Sequence, residues 1–515
     1  MAAWIRSGAR EVSVAEVAER AARAGTGLAR MGIGTNDCIA VFLRNDFAFI
    51  EASVAAGLVG AYVTPVNWHN SIDEAGYIFR NCEAKAIVIH ADLLRKIGEA
   101  LPPGVPVLVV PTPPEVVENY DVSPADARVP DGATEWYSWL AQFPPRTEGP
   151  DEPPGSMIYT SGTTGRPKGV RRLPPTPEQA AIGQQMMATI FGYAPWADRP
   201  EEIVAMAGGP MYHSTPNGWA GAFFRLGANM VIMPRFDAEE MLRLIERYRV
   251  THLLAVPTHF VRLLKLPEEV RRRYDVSSLR FVMHGAAPCP IHVKQDIIKW
   301  FGPIVSEHYG GTETAAVTYC DSAEWLAHPG TVGRALPNAQ VRILGENGEE
   351  LERGATGEVA CRLMDYPDFT YHGDDDKRRK ADRSGLIALG DVGYLDNDGF
   401  LYLSGRSSDM VISGGVNIYP VEIEAELHKM PGVRDCAVFG IPDDEFGEQL
   451  CAFVQPQDGA KISADDVKNF LRGRVAGYKV PRRIEFRDEL PREDSGKIFK
   501  RKLREPFWEN AGRRI

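Results

Sequence analysis

The sequence predicts an α/β protein with a large N-terminal domain of mixed and parallel sheets flanked by helices, and a small α+β domain after it. Three observations predict it. The chain has 515 residues, and single hydrophobic cores rarely grow past about 250–300. Short apolar runs alternate with helix-length segments over most of its length, the pattern of parallel sheets covered on both faces. Beyond roughly Arg406 the chain restarts as a compact α+β unit, so the domains are read as 1–406 and 407–515.

Taken in order, Ser13-Val14-Ala15-Glu16 is a capping box opening an amphipathic helix toward Met31. The longest apolar stretch, Ala52 to Val66, is too short and too rich in Gly and Ala to span a bilayer, and reads as a buried helix followed by a strand. Strands are expected at 85–90 and 105–110, with helical stretches between. The segment 111–154, rich in Pro, Asp and Glu, reads as a surface run. Thr176-Pro177-Glu178-Gln179 is a second capping box, with Pro at the first helical position. Strands at 229–234, 251–257 and 280–285 are separated by helix-length segments, as at 238–248 and 292–300. In the small domain 433–441 reads as a strand, Ser463 caps a helix, and the end from Lys497 to Arg504 is basic.

A hydrophobic fraction of 44% and a charged fraction of 25% describe an ordinary globular surface and core. The net charge of −11 argues against nucleic acid as a general partner. Seven cysteines are scattered without a Cys-x-x-Cys pair, which fits a reducing compartment with neither a disulfide framework nor a zinc cluster. The N-terminus lacks the apolar segment of a secretory signal. The expectation is a cytoplasmic protein, monomer or homodimer, without a transmembrane segment; peripheral membrane contact stays open.

The most informative run is Tyr159-Thr160-Ser161-Gly162-Thr163-Thr164-Gly165-Arg166-Pro167-Lys168-Gly169. Small residues let a backbone approach a polyanion, hydroxyls and N–H groups donate hydrogen bonds, and cations neutralise charge, which together suit a triphosphate. The run is not a Walker A loop, because Arg166 and Pro167 separate Gly165 from Lys168. The bland alternative is a flexible Gly/Thr loop. The run resembles the phosphate-binding signature of the acyl-adenylate-forming superfamily, which includes acyl-CoA synthetases, luciferases and adenylation domains of peptide synthetases.

Further motifs follow in that superfamily's order, and the resemblance covers essentially the whole chain. It implies that Thr160, Ser161, Gly162, Thr163, Thr164, Gly165 and Lys168 hold the triphosphate of ATP. In Met211-Tyr212-His213-Ser214, His213 would lie beside the reacting carboxylate, although a lone His is more often structural. Gly285-Ala286-Ala287-Pro288 ends a strand where an adenine ring could lie against the backbone, or is an ordinary turn. In Tyr309-Gly310-Gly311-Thr312-Glu313, Tyr309 would stack on adenine, Thr312 touch the α-phosphate and Glu313 hold Mg²⁺, a hard cation that wants carboxylate oxygen. Asp391 would accept the ribose hydroxyls and Arg406 meet ribose oxygen or α-phosphate. Upstream the chain departs from the family's Asp-Gly-Trp-Phe-x-Thr-Gly-Asp, reading Ser384-Gly385-Leu386-Ile387-Ala388-Leu389-Gly390-Asp391. Gly414 and Gly415 resemble the loop lining the pantetheine channel after the small domain swings. Lys497, in Asp494-Ser495-Gly496-Lys497, resembles the catalytic lysine, whose ammonium would reach between acyl carboxylate and α-phosphate. Ser408 stands at the family's hinge position, with Asp409 next to it.

The implied function is an ATP-dependent carboxylate–CoA ligase, with ATP, Mg²⁺ and coenzyme A joining a small carboxylic acid. The alternative is an adenylating enzyme that loads a carrier protein in trans. Candidate acyl-pocket residues are His213, Trp219, Phe223, Phe224, His284, Ala286 and Tyr309; the aromatics of 219–224 could equally be core. Several aromatics and no obvious cationic clamp favour a fatty, aryl or other apolar acid, with Arg225 the one nearby candidate for binding a second carboxylate.

Overall fold

The computed structural model describes residues 2–150, 152–160, 167–413, 416–443, 445–492 and 498–509. Two parallel-rich sheets dominate the chain up to Arg406. The larger runs, edge to edge, through the strands Arg334–Ala335, Ala315–Cys320, Val305–Gly311, Phe281–His284, His252–Ala255, Val204–Ala207, Asn229–Ile232, Trp4–Ser7 and Arg10–Ser13. Its centre is parallel, and antiparallel pairs close both edges. The second sheet, Tyr62–Pro65, Cys38–Phe42, Ala86–His90, Val107–Val110 and Thr134–Glu135, is parallel throughout. Parallel strands buried on both faces should be uniformly apolar. Cys38–Phe42 and Ala86–His90 are buried at every position.

An antiparallel sheet of Ala339–Leu344, Gly357–Leu363, Leu386–Leu395 and Leu401–Arg406 follows. A three-stranded sheet, Ile158–Thr160, Lys168–Arg172 and Phe369–Tyr371, stands between this part and the two large sheets. The C-terminal part of the chain forms a separate domain with its own sheet: Val411–Ser413, Val416–Ile418, Val433–Asp443, Gly447–Pro456 and Arg483–Phe486. It has its own core around Ile423, Leu427, Val438, Val454 and Leu471. No helix among the described residues is long and apolar enough to cross a membrane.

The helix signals are realised with one difference. Thr176 and Gln179 satisfy each other's backbone as a full box, and so do Ser463 and Asp466. Ser13 caps Val14–Arg30 by accepting from the Glu16 N–H, but the Glu16 side chain pairs with Arg20 instead of reaching back. The apolar stretch at 52–66 is the end of the helix Phe47–Leu58 and the strand Tyr62–Pro65, as expected.

The Pro- and acid-rich segment 111–154 is less superficial than its composition suggests. Within it the helix Trp136–Leu140 buries Trp136 and Trp139 in the main core, stacked at 5.5 Å, and Trp136 Nε1 donates to Glu51 Oε2 at 2.8 Å. Large aromatic rings dominate burial even in a segment otherwise rich in turn-formers.

Candidate active site

The expected phosphate loop joins two paired strands. Ile158–Thr160 and Lys168–Arg172 run antiparallel, with Thr160 directly opposite Lys168. Ser161, Gly162, Thr163, Thr164 and Gly165 lie outside the described residues. Lys168 Nζ forms an ion pair with Asp374 Oδ2, which holds the Asp374 carboxyl below its usual range. Asp374 also caps the short helix Asp375–Ala381, and Lys377 of that helix lies 4.6 Å over the Tyr371 ring.

Tyr309-Gly310-Gly311-Thr312-Glu313 turns between two strands, Val305–Gly311 and Ala315–Cys320. The register shifts at Tyr309/Gly310, and a Cβ on Gly310 would stand 1.9 Å from the Ala315 carbonyl oxygen, so glycine is required there. The loop is held from several sides. Arg172 Nη2 donates to the carbonyls of Thr312 and Glu313 at 2.7 and 2.9 Å. Tyr371 O–H donates to Glu313 Oε1 at 2.9 Å, and Thr312 Oγ1 lies 3.3 Å from Ser214 Oγ.

The nucleotide-reading candidates meet although they are far apart in sequence. Tyr309 O–H donates to Asp391 Oδ2 at 2.8 Å, and Arg406 Nε donates to Asp391 Oδ1 at 3.1 Å. Asp391 and Arg406 face each other across adjacent strands. Burial, with the nearby Cys361 and Asp391, pushes the Tyr309 phenol well above its usual pKa, so it stays a proton donor.

Gly285, Ala286, Ala287 and Pro288 divide in two. Gly285 is buried, and a Cβ there would come 2.8 Å from the His308 carbonyl, so its small size serves strand packing. Ala286, Ala287 and Pro288 are exposed, with Ala286 at φ 68°. Behind this turn His284 and Glu307 are buried, with Lys294 Nζ donating to Glu307 Oε2 at 2.6 Å. Burial keeps His284 well below its usual pKa, and the Lys294 charge adds to the effect.

His213 is the N-cap residue of the helix Ser214–Leu226, its ring 4.4 Å from Tyr212. The turn before it is fixed from both sides. Asn45 Oδ1 accepts from Met211 N–H at 2.8 Å, and its amide donates to the carbonyls of Gly209 and Met233 at 3.2 and 3.0 Å. Asn217 Nδ2 donates to the Met211 carbonyl at 3.2 Å. Of the pocket aromatics, Trp219, Phe223 and Phe224 belong to the main core, packed with Phe191 and Tyr193. The core alternative holds for them.

Gly414, Gly415 and Lys497 lie outside the described residues. The strands flanking the glycines pair with Ser413 opposite Val416, and Arg492 Nη2 donates to Asp435 Oδ2 at 2.6 Å. Ser408 falls in a single 3₁₀ turn, Ser407–Asp409.

Sequence reasoning missed Asn45, Arg172, Asp374 and Tyr371. The doubled Arg171-Arg172 after Lys168-Gly169-Val170 was the available signal for Arg172. The other three act through partners more than 50 residues away, which no local pattern reports.

The family model described as AMP-binding enzyme matches residues 2–363, and that of the AMP-binding enzyme C-terminal domain matches 422–497. Feruloyl-CoA synthase from an Amycolatopsis species is 31% identical over 522 residues, covering 98% of this chain and 95% of that protein. Indoleacetate–CoA ligase from Aromatoleum aromaticum is 30% identical, covering 97% and 94%. ATP-bound MatB from Rhodopseudomonas palustris superposes with a TM-score of 0.79 at 27% identity, covering 99% and 97%. The chain belongs to the AMP-binding enzyme family, in the acyl-CoA synthetase group of the acyl-adenylate-forming superfamily.

Proposed function

We propose that the protein is a carboxylate–CoA ligase for a fatty, aryl or other apolar acid, working through an acyl-adenylate. The observation that carries this reading is the meeting of Tyr309, Asp391 and Arg406 beside the Thr312–Glu313 loop. It puts a ring, a ribose-sized acceptor and a cation next to groups suited to phosphate and metal. Relatives named for feruloyl and indoleacetate substrates support an aryl or other apolar acid.

In this reading Tyr309 stacks on adenine against Ala286–Pro288, Asp391 accepts the ribose hydroxyls, and Lys168 with the loop after Thr160 holds the β- and γ-phosphates. Glu313 is an oxygen donor whose other oxygen is fixed by Tyr371, a donor set that fits Mg²⁺. Bound there, Mg²⁺ would neutralise charge on the triphosphate. His213 and the Gly209–Met211 turn orient the carboxylate, and Lys497 carries positive charge to the pentacovalent phosphorus as pyrophosphate leaves. The domain after Arg406 then turns about Ser408, withdrawing Lys497 and bringing Gly414 and Gly415 beside the adenylate for attack by the CoA thiolate.

Pyrophosphate release measured over a panel of carboxylates, with and without CoA, tests the proposal. Aryl or fatty acids should give the highest kcat/KM, with thioester forming only when CoA is present. Highest kcat/KM with acetate or malonate would overturn the apolar assignment.

A further inference from the structure

The strand Lys168–Arg172 serves the site at both ends. Lys168, Val170 and Arg172 alternate onto one face of it. Its first residue faces Thr160 across the phosphate hairpin, and its last reaches the Thr312–Glu313 loop. Arg172 is itself well fixed. Tyr62 O–H donates to its carbonyl at 2.8 Å, it pairs with Phe369 in the sheet, and its guanidinium lies 4.8 Å over Tyr366.

The partners of this guanidinium are unusual for a cation. Nη1 donates to the Pro367 carbonyl at 2.7 Å, and Nη2 to the carbonyls of Thr312 and Glu313. No carboxylate is among its hydrogen-bond partners in the described residues, and burial lowers its pKa. Replacing it with an apolar residue would take the donor from all three carbonyls, so the cost of its loss falls on the backbone of this loop. Two consecutive carbonyls drawn to one guanidinium have a geometric consequence. A trans peptide carries its N–H opposite its C=O, so the N–H groups of Glu313 and Thr314 turn to the side away from Arg172. The neighbouring strand completes the clamp, because Tyr371 fixes the Glu313 carboxylate while Arg172 fixes its backbone.

We propose that Arg172 is a positioning residue for nucleotide and metal binding, locking the Thr312–Glu313 loop to the strand that carries Lys168. This rests on the reading of Thr312 and Glu313 as phosphate and Mg²⁺ contacts. The three-stranded sheet thereby sets the spacing between the triphosphate hairpin and the metal-holding carboxylate. The acyl side is built on other side chains, Asn45 and the Gly209–Met211 turn, and meets this loop where Thr312 Oγ1 lies 3.3 Å from Ser214 Oγ.

The test uses the full chain with Arg172→Met, Arg172→Lys and, as a control, Glu313→Gln. ATP binding is measured by calorimetry with and without Mg²⁺, and carboxylate KM and Tm are measured beside it. Residues that orient a metal ligand change metal affinity about 10–100-fold when lost. Arg172→Met should therefore weaken ATP binding about tenfold or more with Mg²⁺ and by a smaller factor without it, leave the carboxylate KM within about twofold, and Arg172→Lys should fall between. Parent-like Mg²⁺ dependence in Arg172→Met, with Glu313→Gln impaired, overturns the proposal alone. Parent-like Mg²⁺ dependence in Glu313→Gln overturns the assignment of the loop as well. Equal losses in ATP binding, carboxylate KM and Tm in both Arg172 variants would make the residue structural only.

Discussion

Glu51 is fully buried, held by Trp136 Nε1 at 2.8 Å and by Arg20 at 3.3 Å. Burial pushes its carboxyl up to about 7, against the pull of Trp136 and Arg20. A carboxyl that holds its proton more tightly when folded makes the folded state lose stability as pH rises. The loss begins near 4.5, the value of an unperturbed Glu, and is complete above about 7. Glu51→Gln keeps an acceptor for Trp136 and cannot ionise. Its stability should therefore fall less than the parent's between pH 4.5 and 7.5, by on the order of 1–3 kcal/mol. Thermal melts across that range check this; parallel curves for the two proteins would refute it. The site residues Tyr309, Asp391 and Arg406 stood out in the sequence because each sits at a position that resembles a motif of the superfamily. Glu51 and Asn45 did not, since a buried acid or amide is defined by its remote partners.

At the scale of elements, the loop from Tyr309 to Glu313 depends on a register shift that only glycine permits at 310. Gly310→Ala would drive a methyl into the Ala315 carbonyl, and backbone rather than a side chain must move. We expect a loss of about 1–3 kcal/mol in stability and a larger fall in adenylation than in Gly285→Ala, whose neighbour is the His308 carbonyl and ring. Pyrophosphate-release rates and melting temperatures of the two variants decide it, and equal adenylation defects would contradict it. The helices and strands expected from the sequence were legible because their periodicity and caps are local, as in Thr176–Gln179 and Ala86–His90. The Trp136–Leu140 helix was not legible, since its Pro- and acid-rich surroundings hid two tryptophans that the main core required. The three-stranded sheet was half legible: its hairpin is in the phosphate motif, but the third strand, Phe369–Tyr371, comes from about 200 residues away.

At the scale of the whole molecule, two units meet where Lys265 Nζ donates to the carbonyls of Val433 and Arg434, while Arg492 pairs with Asp435 inside the C-terminal unit. The family's order of motifs made two domains legible, while a two-stage reaction needs a domain movement that no single arrangement displays. If Lys497 serves only the first stage, Lys497→Ala should abolish adenylate formation, with a rate loss on the order of a hundredfold or more, yet form thioester from presynthesised acyl-AMP at close to the parent rate. Assaying each half-reaction separately checks this, and equal losses in both would make Lys497 structural. The central claim is that the carboxylate attacks the α-phosphorus of ATP. Carboxylic acid labelled with ¹⁸O in both oxygens, turned over with ATP and CoA, tests it most directly. The account predicts one labelled oxygen in AMP and none in pyrophosphate; ADP as product, with label in inorganic phosphate, would contradict it.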